Sequence, residues 1–138
     1  MNPHIKKQLD RLSSARDDDV ATSAVEELVS LGAPAIEPLC GLLSVDALTE
    51  KNAKCEPGER LSYATKALRL IGDKAAVDPV LRAYVSIEAA TAERPFLARH
   101  LKTLLTLSRT LDPARTESLP AEVGALTHAA VRQLLSAP

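Results

Sequence analysis

Aromatic residues are almost missing from this 138-residue chain: there is one Phe, there are two Tyr, and there is no Trp. A platform that stacks bases, or a cage that encloses a cationic ligand, needs several such rings. Glycine is scarce too, at five residues, and neither GxGxxG nor GxxxxGK occurs, so no phosphate-cradling loop is present. There is no CxxC pair. Cys40 and Cys55, with the scattered His4, His100 and His128, do not approach the roughly four converging ligands of a zinc site. Two cysteines in a chain of this length are not a disulfide framework either. Charge of one sign is also lacking: 17 Lys and Arg face 18 Asp and Glu, for a net charge of -1. That balance argues against a nucleic-acid arm or a surface for anionic membranes. No apolar run nears the roughly eighteen residues that span a bilayer. Residues 1–8 lead into an amphipathic segment, not a leader, so a cytoplasmic protein is the expectation.

What is abundant is leucine and alanine, 22 of each, both strong helix formers. β-branched and aromatic residues are too few for a sheet protein. Apolar residues recur at helical spacing in seven segments, which makes the chain all-α. The first covers 3–14, with Ile5, Leu9 and Leu12 on one row. The second follows Asp17, Asp18 and Asp19, which offer a capping oxygen and complement the helix dipole. It carries Ala21, Ala24, Val25, Leu28 and Leu31, and Gly32 stops it. The third starts at Pro34 and carries Ile36, Leu39, Cys40 and Leu43. Residues 45–58 are polar and turn-rich and read as the longest loop. The fourth helix carries Leu61, Ala64, Ala67, Leu68 and Ile71 and ends at Gly72. The fifth carries Val77, Val80, Leu81, Tyr84 and Val85, and Pro79 is expected to split it. The sixth covers 95–111, with Leu97, Leu101, Leu104, Leu105 and Ser108 inward. A linker containing Asp112 and Pro113 follows. The seventh begins near Pro120 and carries Val123, Leu126, Ala130, Val131 and Leu134. Cys40 lies on an apolar row and reads as a core residue. Cys55 lies in the polar loop; a reactive thiol there would need a cationic cluster, and only Lys51 and Lys54 stand beside it.

Two stretches resemble each other. Residues 24–39 read AVEELVSLGAPAIEPL and residues 64–80 read ATKALRLIGDKAAVDPV. Ala24 aligns with Ala64, Leu28 with Leu68, Leu31 with Ile71 and Gly32 with Gly72. One inserted residue then brings Ile36 onto Val77, Pro38 onto Pro79 and Leu39 onto Val80. Helix, glycine, helix at a period near forty residues is the signature of an α-solenoid. A single pair of helices cannot bury both its apolar stripes, so it stacks on a copy of itself.

On these residues the chain resembles the HEAT-like repeat family, in particular its short-repeat branch, also found in phycobilisome lyases. The resemblance implies an all-α solenoid of about three antiparallel helix pairs and a capping helix. Its parts are a cap at 1–15, a first repeat at 17–44, the loop at 45–58, a second repeat at 59–91 and a degenerate third at 94–136. It also implies that second helices line the concave side. The partner-facing row is then Glu37, Gly41 and Ser44, followed by Asp78, Arg82 and Ser86.

Chemistry is hard to find. The deoxyhypusine hydroxylases that share this fold hold iron through His-Glu pairs, and no His-Glu dipeptide occurs here. HExxH is absent as well. Glu37 and Asp78 occupy equivalent repeat positions, and two stacked carboxylates are one route to acid–base work. The plainer reading is that each complements a helix N-terminus. Arg99, Lys102 and Arg109 share a helix row that would suit phosphates, as in HEAT-like DNA glycosylases, or simply face solvent. No histidine stands in a triad pattern. The expected function is therefore a non-enzymatic protein or peptide interaction scaffold, with no catalytic residue, metal or cofactor. The alternatives are a lyase-type chromophore-attachment subunit or chaperone, and nucleic-acid binding. The last helix closes on Val131, Leu134 and Leu135 without a polar cap. That pattern implies either an end-to-end homodimer through this helix or a chain that belongs to a longer array.

Overall fold

The computed structural model describes residues 2–51, 55–120, 123 and 125–136. Nine α-helices and three short 3₁₀ turns occur among them, and no strand. The chain divides into two compact units, Met1–Asp73 and Lys74–Pro138.

The first unit holds five helices. α1 (Pro3–Ser14) starts with Pro3 in its first turn, where the missing N–H has no helical partner, and Asn2 accepts from the His4 N–H at 2.8 Å. α2 (Asp18–Leu31) is capped by Asp17, whose carboxylate accepts from the Val20 N–H at 3.0 Å. After Gly32 a 3₁₀ turn (Ala33–Ala35) leads into α3 (Ile36–Gly41), then the single-turn α4 (Val45–Leu48) and the long α5 (Pro57–Ile71). α2 packs against both α1 and α5, and α3 and α4 pack on α5. On the long helices α2 and α5, Ala21, Ala24, Leu28, Ala64, Ala67 and Leu68 have no exposed surface.

The second unit opens with a 3₁₀ turn (Lys74–Ala76) and α6 (Val77–Ala90). A longer 3₁₀ stretch (Pro95–His100) then precedes α7 (Leu101–Leu111), α8 (Pro113–Thr116) and α9 (Ala125–Ser136). α6 is its centre and packs against α7 and α9. Val80, Leu81, Tyr84 and Ile87 on α6, Leu97 and Leu104 beside them, and Val131 on α9 are fully enclosed.

Several expectations are corrected. Pro79 does not split α6. It occupies the third helical position, inside the first turn, so its missing N–H removes no helical bond. Pro38 sits in the same place in α3, which ends at Gly41 and so does not carry Leu43 and Ser44. The polar segment 45–58 is not all loop: Ser44 caps α4 by accepting from the Ala47 N–H at 3.1 Å, and Leu48 is buried. The linker at Asp112 and Pro113 is the start of α8, with Asp112 accepting from the Arg115 N–H at 3.2 Å. The front of the sixth predicted helix is 3₁₀. Val123 is exposed and precedes α9, and Leu126, expected on the inner row, has a side chain outside the described residues. Cys40, expected in the core, is only half-buried, and Cys55, placed in the polar loop, is buried. Its N–H donates to the Ser13 carbonyl at the end of α1, at 3.2 Å, which draws this part of the loop inward.

The two glycine stops differ in a way that mutation separates. Both have positive φ, +70° at Gly32 and +69° at Gly72. Gly72 has ψ 20°, the left-handed helical region, whereas Gly32 has ψ -138°, a region close to glycine's own. A Cβ at Gly32 meets nothing within 4 Å, and one at Gly72 meets only carbonyl oxygens at ordinary contact distance, so sterics within the backbone alone set the cost. Gly72→Asn is expected to melt within a few degrees of the parent, because Asn tolerates the left-handed region, while Gly72→Val loses about 1–2 kcal/mol. Asn at position 32 gains no such relief and should destabilise as Val does. Thermal melts of the four variants check this; equal melting of Gly32→Asn and the parent would refute the assignment.

Candidate functional site

The exposed row expected on the second helices comes apart into two local arrangements. In the second unit, Arg82 and Ser86 lie one turn apart on α6, both exposed. Asp78, a turn earlier, is already engaged. Arg115 of α8 donates from Nε to Oδ1 at 2.8 Å and from Nη2 to Oδ2 at 3.2 Å, a two-pronged pair that fixes the guanidinium plane. Asp78 also lies in the first turn of α6, where a negative charge complements the helix dipole. Both roles are structural, which leaves Arg82 and Ser86 as the free part of that row.

In the first unit, Glu37 and Gly41 are exposed on α3. A side chain at Gly41 would meet nothing within 4 Å, so the surface there is open as well as small. Ser44 does not belong with them: its hydroxyl is spent capping α4.

The basic row fares similarly. Arg99 and Lys102 are exposed, but Arg109 is not their companion. Its guanidinium donates to the Leu119 and Pro120 carbonyls, so it ties the chain after α8 back to α7. Arg99 itself donates from Nε to the His100 ring at 3.4 Å, so the expected three-residue phosphate row is not kept intact.

The polar groups that pattern reading missed are inside. Arg60 on α5 is 3% exposed. Its Nη2 donates to the Ala47 carbonyl at 2.6 Å and lies 3.1 Å from a Glu50 carboxylate oxygen. The signal was present: Arg60 stands four, seven and eight residues before Ala64, Ala67 and Leu68, on their inner row. Gln8 lies between Ile5 and Leu12 on the inner row of α1 in the same way, and its carbonyl oxygen accepts from Arg11 at 2.7 Å. His100, expected beside the leucines, is buried among them.

A polar hollow of about 300 Å³ lies at the start of α2 and is lined by Ala15, Arg16, Asp17, Asp18, Glu59 and Tyr63. The Tyr63 hydroxyl donates to Asp18. That bond holds the phenol proton, and with burial and the Asp18 and Glu59 charges it pushes the Tyr63 pKa up to about 12. The folded chain then binds this proton more tightly than the unfolded chain does. The associated stability is complete below pH 10 and is lost as pH rises from 10 toward 12. In an Asp18→Asn, Tyr84→Phe background, tyrosinate absorbance is expected to show Tyr63 titrating well below its value in Tyr84→Phe alone. Unchanged titration would remove Asp18 as the cause.

Elsewhere, His128 of α9 meets Glu88 of α6 at 3.1 Å, and His4 meets Glu27 at 3.4 Å. Tyr84 is wholly enclosed, and burial, reinforced by the Glu88 charge, raises its phenol pKa. Burial likewise raises the Cys55 thiol, with the Glu59 and Glu56 charges adding to it and Arg60 opposing, so this cysteine is held as an inert thiol. Lys54, expected as one of its cations, lies outside the described residues. Among the described residues no three His, Cys, Asp or Glu side chains are grouped to hold a metal ion, and no helix is long and apolar enough to cross a membrane. Compared with protein-family models, with curated proteins and with solved structures, the chain finds no match in any of the three.

Proposed function

We propose that the chain is a non-enzymatic interaction module, a short solenoid of the HEAT-like kind that presents its helix surfaces to a protein or peptide in the cytoplasm. The observation that carries this reading is the recurrence of one local pattern. A helix with buried Ala24 and Leu28 runs to a positive-φ Gly32, a 3₁₀ turn ending in buried Ala35, and a helix with buried Ile36 and Leu39 and a proline at its third position. The same sequence of features recurs with Ala64, Leu68, Gly72, Ala76, Val77, Pro79 and Val80. Within the first unit, the leading helices of the two patterns, α2 and α5, pack directly on each other, as stacked repeats require. After Gly32 the chain proceeds straight into its 3₁₀ turn, and after Gly72 it takes one extra residue, Asp73.

Small and mixed-charge positions suit a peptide better than a nucleic acid. In this reading the contact residues of the second unit are Arg82 and Ser86 on α6, and those of the first unit, taken by itself, are Glu37 and Gly41 on α3. A homodimer through α9 belongs to the same reading, supported by Leu134 and Leu135, which remain half-exposed.

The test is affinity capture from the native host, run with the parent and with Arg82→Glu, Ser86→Trp. A partner held by the parent and lost by a variant of unchanged melting temperature is the expected result. A partner retained in full by the variant moves the surface off α6. Oligonucleotide binding that weakens with salt and on replacing Arg99 and Lys102 would favour the nucleic-acid alternative instead.

A further inference from the structure

We draw no further inference here: the strongest candidate, the Tyr84, Glu88 and His128 side-chain cluster where α6 packs against α9, holds a His128–Glu88 pair that already serves the packing of the two helices, and nothing in the structure shows what would meet the His128 Nδ1 or the buried Tyr84 hydroxyl.

Discussion

Leu68→Ala is expected to lower the unfolding free energy of the first unit by about 2–5 kcal/mol, toward the upper end of that range. Leu68 has no exposed surface and sits on α5, which packs against α2. The lost transfer energy is only part of the cost. The rest depends on whether neighbours can move into the space left behind. The buried faces of α2 and α5 carry Ala21, Ala24, Ala64 and Ala67, whose side chains have no rotamers with which to fill a void. Leu68→Met, which keeps the volume, should cost less than about 1.5 kcal/mol. The chain offers a clean probe: with no Trp, and Tyr63 in Met1–Asp73 but Tyr84 in Lys74–Pro138, a Tyr84→Phe background leaves Tyr63 fluorescence to report on the first unit alone. Urea unfolding of that background should show the midpoint falling with little change in slope. A loss below about 1 kcal/mol would mean that the packing around Leu68 relaxes freely and that α2 and α5 are not closely fitted.

Arg60→Ala is the second large effect, at about 2–4 kcal/mol. Arg60 is 3% exposed, and its side chain serves three purposes: a packed aliphatic stem, a donor to the Ala47 carbonyl at 2.6 Å and a pair with Glu50 at 3.1 Å. Removing it leaves the carbonyl without this donor and the stem's space empty. The Glu50 pair contributes the least of the three, because the Glu50 side chain is 52% exposed and water already solvates it. Glu50→Gln should therefore cost under about 1 kcal/mol, and Arg60→Met, which restores the stem, should recover part of the loss. The same urea titration measures all three. If Glu50→Gln proves as harmful as Arg60→Ala, the ion pair and not the carbonyl bond holds α4 to α5, and the assignment of roles reverses.

How far the fold was legible follows from which forces act locally. The inner rows of α2, α5, α6 and α7 were readable because a helix repeats every 3.6 residues whatever it packs against. Gly72 was readable because the left-handed turn it makes excludes most side chains. The failures are the elements whose existence depends on partners far along the chain. α4 has only four residues and stands through the Ser44 cap, the burial of Leu48 and the Arg60 bond. An isolated turn of that length does not hold, since nucleating a helix costs more than one turn returns. α8 is the exception: its start signal, Asp112 followed by Pro113, is local and reads equally as a linker. The burial of Cys55 was not legible because periodicity sees a helix face, but not the draw of the Ser13 carbonyl on the Cys55 N–H.

The candidate surface divides along the same line. Which residues occupy exposed turns of α6 follows from spacing, so Arg82 and Ser86 were predictable. Which of the neighbouring charges remain free does not, because Arg115 reaches Asp78 from 37 residues away and Arg109 is drawn to backbone carbonyls after α8. The amino-acid order alone therefore determined an all-helical chain, the greasy face of each long helix and the glycine turns, since these are set within a few residues by backbone geometry and side-chain size. The tertiary structure decided α4, the buried Arg60 and the surviving surface charges, since each depends on a long side chain finding an acceptor that only the folded chain brings within reach.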